Sequence, residues 1–182
     1  GGDHALERFL GDAVKGMRDH VLIATKIGNP MGPGPNQAGA SRHWIMQGID
    51  ASLRALGTDY VDLYQIHNPD PNTPLEETLR ALDDLVRSGK VRYVGCSNYS
   101  AWETCEAMWL SQTRSLSPFV STQPLYNMLD REIERELVPF CNRYGVGILP
   151  YYPLAGGFLT GKYRRGQPPP EGARLSYHAW QG

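Results

Sequence analysis

Five short apolar runs in this chain each lead to a side chain that can hold or move a proton or make a directed hydrogen bond. Val21 to Thr25 is followed by Lys26, and Tyr60 to Ile66 by His67. Val91 to Cys96 is followed by Ser97 and Asn98, Phe119 to Thr122 by Gln123, and Val146 to Leu149 runs on to Tyr151. A lysine and a histidine together supply charge and acid–base chemistry near neutral pH. Hydroxyl and amide side chains supply donors and acceptors for a polar ligand, and a tyrosine ring supplies a flat apolar face. Singly, each has an ordinary reading. A lysine after a strand is usually solvated, a histidine is usually hydrogen-bonded into the fold, and Ser-Asn is a turn dipeptide. Five such residues at successive run ends are much harder to dismiss.

Short apolar runs bounded by turn residues read as buried parallel strands. The stretches between them carry helical spacing and end signals. Ala5 to Val14 precedes the first strand, and Ile45, Ile49, Leu53 and Leu56 form a helical face before Gly57. Thr73-Pro74-Leu75-Glu76 and Ser100-Ala101-Trp102-Glu103 both read as capping boxes, and Gly89 ends the helix that Leu75 begins. Glu132 to Tyr144 reads as a less regular helix, with Pro139 in its first turn or at a kink. Strands alternating with helices imply a parallel sheet with right-handed crossovers. The run-end residues recur about every 31 positions, an eighth of the roughly 250 residues of a β/α barrel. No G-x-G-x-x-G follows a strand, which favours the barrel over a dinucleotide-binding open sheet. The expected fold is therefore α/β, a parallel (β/α)8 TIM barrel present as an incomplete central portion of about five strands. Residues 1–182 read as a single domain. The Gly-, Pro- and Asn-rich segment 28–41 follows a barrel strand and reads as an active-site loop, and 164–182 as an irregular, Pro-rich C-terminal segment.

Composition narrows the function. A net charge of -1 leaves no basic excess for nucleic acid, and no apolar run approaches the roughly 18 residues of a membrane span. The start, Gly1-Gly2-Asp3-His4, lacks Met and shows no signal-peptide pattern. Cys96, Cys105 and Cys141 are odd in number and far apart, so a reducing, cytoplasmic setting is the expectation. The five histidines lack ligand spacing, so no metal is expected. Trp44, Trp102, Trp109 and Tyr99 could line a pocket, although aromatics at helical spacing more often pack.

The motifs, taken together, are specific. Ile23-Ala24-Thr25-Lys26, Asp62-Leu63-Tyr64-Gln65-Ile66-His67 and Gly95-Cys96-Ser97-Asn98-Tyr99 resemble the aldo-keto reductase family. So do Gln123-Pro124-Leu125-Tyr126-Asn127, Pro150 to Gly157, and Thr160-Gly161-Lys162-Tyr163. The resemblance is nearest to the branch of bacterial general reductases and potassium-channel beta subunits. It implies reduction of an aldehyde or ketone by hydride transfer from NADPH, with a small-molecule carbonyl substrate and homo-oligomerisation left open. Of the family's Asp, Tyr, Lys and His tetrad, Lys26 matches the lysine, which lowers the pKa of the tyrosine. His67 matches the histidine, which orients the carbonyl. Ser97, Asn98 and Gln123 match residues that hydrogen-bond the nicotinamide carboxamide, and Tyr151 the aromatic that stacks on the ring. Tyr152, Pro153, Leu154, Ala155 and Gly156 match the loop around the pyrophosphate, with Tyr152 where Ser is common. Lys162 and Arg174 match basic residues that contact cofactor phosphates. The tetrad Asp and Tyr belong to an Asp-Thr-Ala-x-x-Tyr-Gly motif upstream of Gly1, and the adenosine-phosphate motif lies downstream. The chain is therefore expected to be a central piece, inactive on its own. Two alternatives stand beside the enzyme: a cofactor-binding regulatory subunit with a membrane channel as partner, and a non-catalytic truncated remnant.

Overall fold

The computed structural model describes residues 4–176. Among them, β1 (Ala24–Ile27), β2 (Val61–Ile66), β3 (Val91–Ser97), β4 (Phe119–Gln123) and β5 (Gly147–Ile148) form one all-parallel sheet in that order. Five α-helices accompany them: α1 (Ala5–Ala13), α2 (Arg42–Leu56), α3 (Leu75–Arg87), α4 (Ala101–Arg114) and α5 (Leu137–Tyr144). Each helix packs beside the next. A strand order without reversal, wrapped by successive neighbouring helices, is that of a β/α barrel and lacks the switch point of a doubly wound sheet. These strands are five of the barrel's eight.

The helix ends follow their local chemistry. Ser41 caps α2 by accepting the Trp44 N–H at 3.3 Å, and Gly57 ends it at φ 65°, where a Cβ would be strained. At α4 the capping box forms in both directions. The Ser100 N–H donates to Glu103 at 2.8 Å, and the Glu103 N–H donates back to Ser100 at 3.4 Å. The box expected at Thr73–Glu76 does not form. Pro74 takes the cap position and has no side-chain cap. The Thr73 hydroxyl donates to Asp70 instead, and Glu76 binds Arg80 and Arg114. The stretch from Glu132 to Tyr144 divides into a 3₁₀ turn, Glu132–Glu134, and α5, whose third residue is Pro139. A proline is tolerated there because the first-turn N–H groups have no intrahelical partner.

The first strand is displaced from the apolar run that announced it. Val21 to Ile23 lie before the ladder, held by side chains. Asp62 accepts the Ile23 N–H at 2.9 Å and the Arg18 guanidinium at 2.8 Å. Arg18 also donates to the carbonyls of Val21 and Tyr60, and stacks on the Tyr60 ring at 3.9 Å. Lys26 consequently lies within β1 rather than after it.

Register then sorts the side chains, because successive residues of a strand face opposite sides. Ile27, Ile66, Cys96, Thr122 and Ile148 align in one row. This is the helix side: a Cβ on Gly48 of α2 would meet Ile27 at 2.4 Å and the Tyr64 hydroxyl at 3.1 Å. Ile27, Ile66, Cys96 and Thr122 are buried there with Ile45 and Ile49 of α2 and Leu79 and Leu82 of α3. The alternate row is Lys26, Gln65, Gly95, Ser121 and Gly147. It needs a glycine at its middle, since a Cβ on Gly95 would come within 2.8 Å of the Ser121 carbonyl and hydroxyl oxygens. Tyr93, on this same concave side, is 59% exposed.

Asp62→Ala is expected to destabilise the chain by roughly 2–4 kcal/mol, because it leaves the part-buried Arg18 and the Ile23 N–H without their acceptor. Urea unfolding measures this. A midpoint unchanged from wild type would mean that the Arg18–Asp62 contact does not hold β1.

Candidate active site

Lys26 and His67 meet at the C-terminal ends of β1 and β2. Lys26 pairs with Gln65 across the ladder, and His67 follows β2, its N–H donating to the Ile27 carbonyl at 2.7 Å. The Lys26 ammonium makes no hydrogen bond or ion pair among the described residues. Burial holds its pKa below the usual lysine value. The His67 imidazole is also held below its usual value, first by burial and then by the positive charge of Lys26. The site therefore favours a neutral imidazole beside an ammonium.

The next three strands bring the amide and hydroxyl groups together. Ser97 pairs with Gln123 and its hydroxyl donates to the Gln123 carbonyl at 2.7 Å. Asn98 adopts φ 60°, a left-handed conformation that asparagine tolerates better than most residues. Its N–H donates to the Gln123 carbonyl at 3.2 Å, and its side-chain amide donates to the His67 carbonyl at 2.9 Å. Asn98 thus joins the Lys26–His67 end of the sheet to the Ser97–Gln123 end. The Gln123 side-chain amide has no partner among the described residues. Tyr151 bridges to Leu125, its N–H donates to the Pro124 carbonyl at 2.9 Å, and the residue is 39% exposed.

Beyond Tyr151 the backbone curls tightly. Tyr152, Ala155, Gly156 and Gly157 all take positive φ. Asn127 fixes the start of the curl by donating to the Tyr152 carbonyl at 3.2 Å, and the Tyr163 hydroxyl closes it on the Gly156 carbonyl at 3.4 Å. Ala155 is buried, whereas Pro153 and Leu154 are exposed. Lys162 lies 5.5 Å from the Tyr163 ring and Arg174 lies 5.8 Å from the Tyr152 ring, so both cations attach to this curl. Residues 177–182 of the C-terminal segment lie outside the described residues.

An open hollow of about 980 Å³ borders β1 between α1 and α2. Lys26, His67, Trp44, Met31 and Glu7 line it. Ser97, Asn98, Gln123 and Tyr151 do not, so the structure holds two adjoining groups of site residues rather than one closed pocket. Of the aromatics noted in the sequence, Trp44 lines the hollow, Tyr99 is buried against Phe119, and Trp102 and Trp109 are exposed on α4.

Three residues at the site are not evident from residue type alone. Asp70 accepts from the Ala40 N–H at 2.7 Å, the Asn72 N–H at 2.9 Å and the Thr73 hydroxyl at 2.7 Å. Burial raises its pKa, but these hydrogen bonds outweigh that and the net shift is downward. An ionised Asp70 thereby pins the end of segment 28–41 to the loop after His67. Asn29 and Asn68 hydrogen-bond each other at 2.9 Å. Each directly precedes a proline just past a strand, and that Asn-Pro pair was the available signal.

Comparison with known proteins gives this arrangement its family. Residues 2–179 match the model of the Aldo/keto reductase family. L-glyceraldehyde 3-phosphate reductase of Escherichia coli strain K12 is 41% identical over 162 residues, covering 88% of this chain and 46% of that protein. A Schizosaccharomyces pombe protein named "Putative voltage-gated potassium channel subunit beta" is 41% identical over 175 residues, covering 93% of this chain and 50% of the relative. The chain spans about half the length of these curated relatives. With its matching motifs and its run of consecutive βα units, the chain belongs to the aldo/keto reductase family.

Proposed function

We propose that this chain carries the central part of an NADPH-dependent carbonyl reductase, which reduces an aldehyde or ketone to an alcohol. One observation carries the reading: Lys26, His67, Ser97, Asn98 and Gln123 arrive at the ends of four consecutive parallel strands, and Asn98 links the two groups by a hydrogen bond. The residues suit a nicotinamide. The unpartnered Gln123 amide and the exposed Asn98 side chain suit its carboxamide, the ring of the exposed Tyr151 suits its flat face, and Lys162 and Arg174 suit its phosphates. A reduced nicotinamide, when bound, supplies the hydride. Neutral His67 donates a hydrogen bond to the substrate carbonyl and orients it, while the Lys26 ammonium favours the negative charge that grows on that oxygen. Half-burial of both side chains strengthens these effects by displacing part of the water around them. NADPH rather than NADH rests on the family resemblance alone.

A second reading is a cofactor-binding regulatory subunit, and the likeness to the Schizosaccharomyces pombe protein favours it. Lys26 and His67 support the enzyme instead, since a cofactor sensor needs no paired acid–base groups. Co-purification with a membrane partner would support the regulatory reading.

NADPH titration, followed by fluorescence of the reduced nicotinamide, tests the cofactor half. Binding is expected to weaken roughly tenfold in Tyr151→Ala and in Gln123→Ala, the loss of one stacking or hydrogen-bonding contact. Equal affinity in all three proteins would refute these assignments. The catalytic half is tested by turnover. Lys26 and His67 are two of the four tetrad positions, and the family's proton-donating tyrosine has no match in this chain. Negligible reduction of aldehydes by the 182-residue chain is therefore expected, and robust turnover would refute this. The pKa directions give a further check. Folding lowers the pKa of His67 below its unfolded value of about 6.5, so its neutral form adds stability that is present above that pH and lost as the pH falls through the folded pKa. In Lys26→Met the imidazole midpoint should rise, read by proton NMR, but only part of the way, because burial is the larger cause.

A further inference from the structure

We propose that Asn68 is a positioning residue, the middle member of a chain of three side-chain amides that fixes Asn98 for its ligand. The inference rests on the reading of Asn98 as a nicotinamide-binding residue. Asn68 donates to the Asn29 amide oxygen at 2.9 Å, and its own amide oxygen accepts from Asn98 at 3.0 Å. Both ends of the Asn68 amide are therefore used, and the chain crosses the loops after β1, β2 and β3. The Asn98 amide nitrogen also donates to the His67 carbonyl at 2.9 Å and to the Ser97 hydroxyl at 3.3 Å. The nitrogen has two hydrogens for these three acceptors, so one is shared, and together they restrict rotation of the Asn98 side chain.

The backbone makes the chain stiff. Asn29 precedes Pro30 and Asn68 precedes Pro69, and a residue before proline is confined to extended conformations. Asn98 is held at φ 60°. The three asparagines are all exposed, so water competes for each hydrogen bond and the chain contributes little to folding. Its effect is on orientation. Without Asn68 the Asn98 nitrogen keeps the His67 carbonyl and the Ser97 hydroxyl but loses its tie to the second loop, so its amide is less restrained, and apparent affinity falls in proportion to the fraction of molecules in the binding orientation. Asn68 touches no ligand in this account and acts through Asn98.

Two measurements on the 182-residue chain test this. The first needs no cofactor. In a ¹⁵N-labelled chain, Asn68→Ala should shift the Asn98 side-chain amide pair and speed its exchange with water, while leaving the urea midpoint near wild type. An unchanged Asn98 pair would overturn the proposal. The second is an NADPH titration as a double-mutant cycle. Asn68→Ala should weaken binding about fivefold in the wild-type background, the loss of one orienting hydrogen bond, and should add nothing in Asn98→Ala. Wild-type affinity in Asn68→Ala, or independent additive losses, would overturn the proposal. If the wild-type chain binds no NADPH, the cofactor reading fails, and the amide spectra alone decide whether Asn68 holds Asn98.

Discussion

The Asp62 carboxylate sets the geometry of the site from its far end. It holds the Ile23 N–H and the Arg18 guanidinium at once, at 2.9 and 2.8 Å, and so fixes where β1 enters its ladder with β2. Side chains alternate along a strand, so a slip of one residue would turn Lys26 to the helix side and bring Ile27 to the concave side. Lys26 would then face the apolar layer around Ile45 and Ile49, where a charge is costly. The placement of Lys26 beside His67 thus depends on an ion pair at the opposite end of the strand. The same parity governs the middle of the sheet, where Gly95 is the residue that lets β3 pass Ser121 at contact distance.

The loops are fixed by separate means. Asp70 gathers three donors and pins segment 28–41 beside the loop after β2, and Thr78 of α3 donates to the Ala40 carbonyl at 2.8 Å. Gly39 makes room for this, since a Cβ there would lie 2.5 Å from the Asp70 carboxylate. A long glycine- and proline-rich segment is thereby held at both ends. Its start meets β1, and its end leads through Ser41 into α2. The floor of the site depends on backbone ladders, and its rim depends on side-chain hydrogen bonds.

Much of this was legible in the residues. Apolar runs of four to seven residues separated by helical patterns gave five strands in sequential order, because burial against helices demands apolar residues whatever the detailed register. The β1 boundary was not legible. Val21 to Ile23 are as apolar as a strand, but the Arg18 side chain takes the Val21 carbonyl and Asp62 the Ile23 N–H, so that of these residues only the Ile23 carbonyl is bonded by the β2 backbone. The false capping box at Thr73–Glu76 failed for the same reason, since Asp70 competes for the Thr73 hydroxyl. Ser100 and Glu103 met no competitor, and their box formed. For the candidate site, residue type and position marked Lys26, His67, Ser97, Asn98 and Gln123 as candidates, and the fold gathers these five at neighbouring strand ends. They could not pick out Asn29 and Asn68, whose meaning comes from loops that meet only after folding.

The two groups of candidate residues are joined through loops as well as through the sheet. Ser97 pairs with Gln123 across β3 and β4, and Lys26 pairs with Gln65 across β1 and β2. The Asn98 contact to the His67 carbonyl bridges the two pairs, because it ties the loop after β2 to the end of β3. His67 is anchored through its own backbone on both sides, donating to Ile27 and accepting from Asn98. Lys26 is positioned by its strand, and its ammonium has no partner among the described residues.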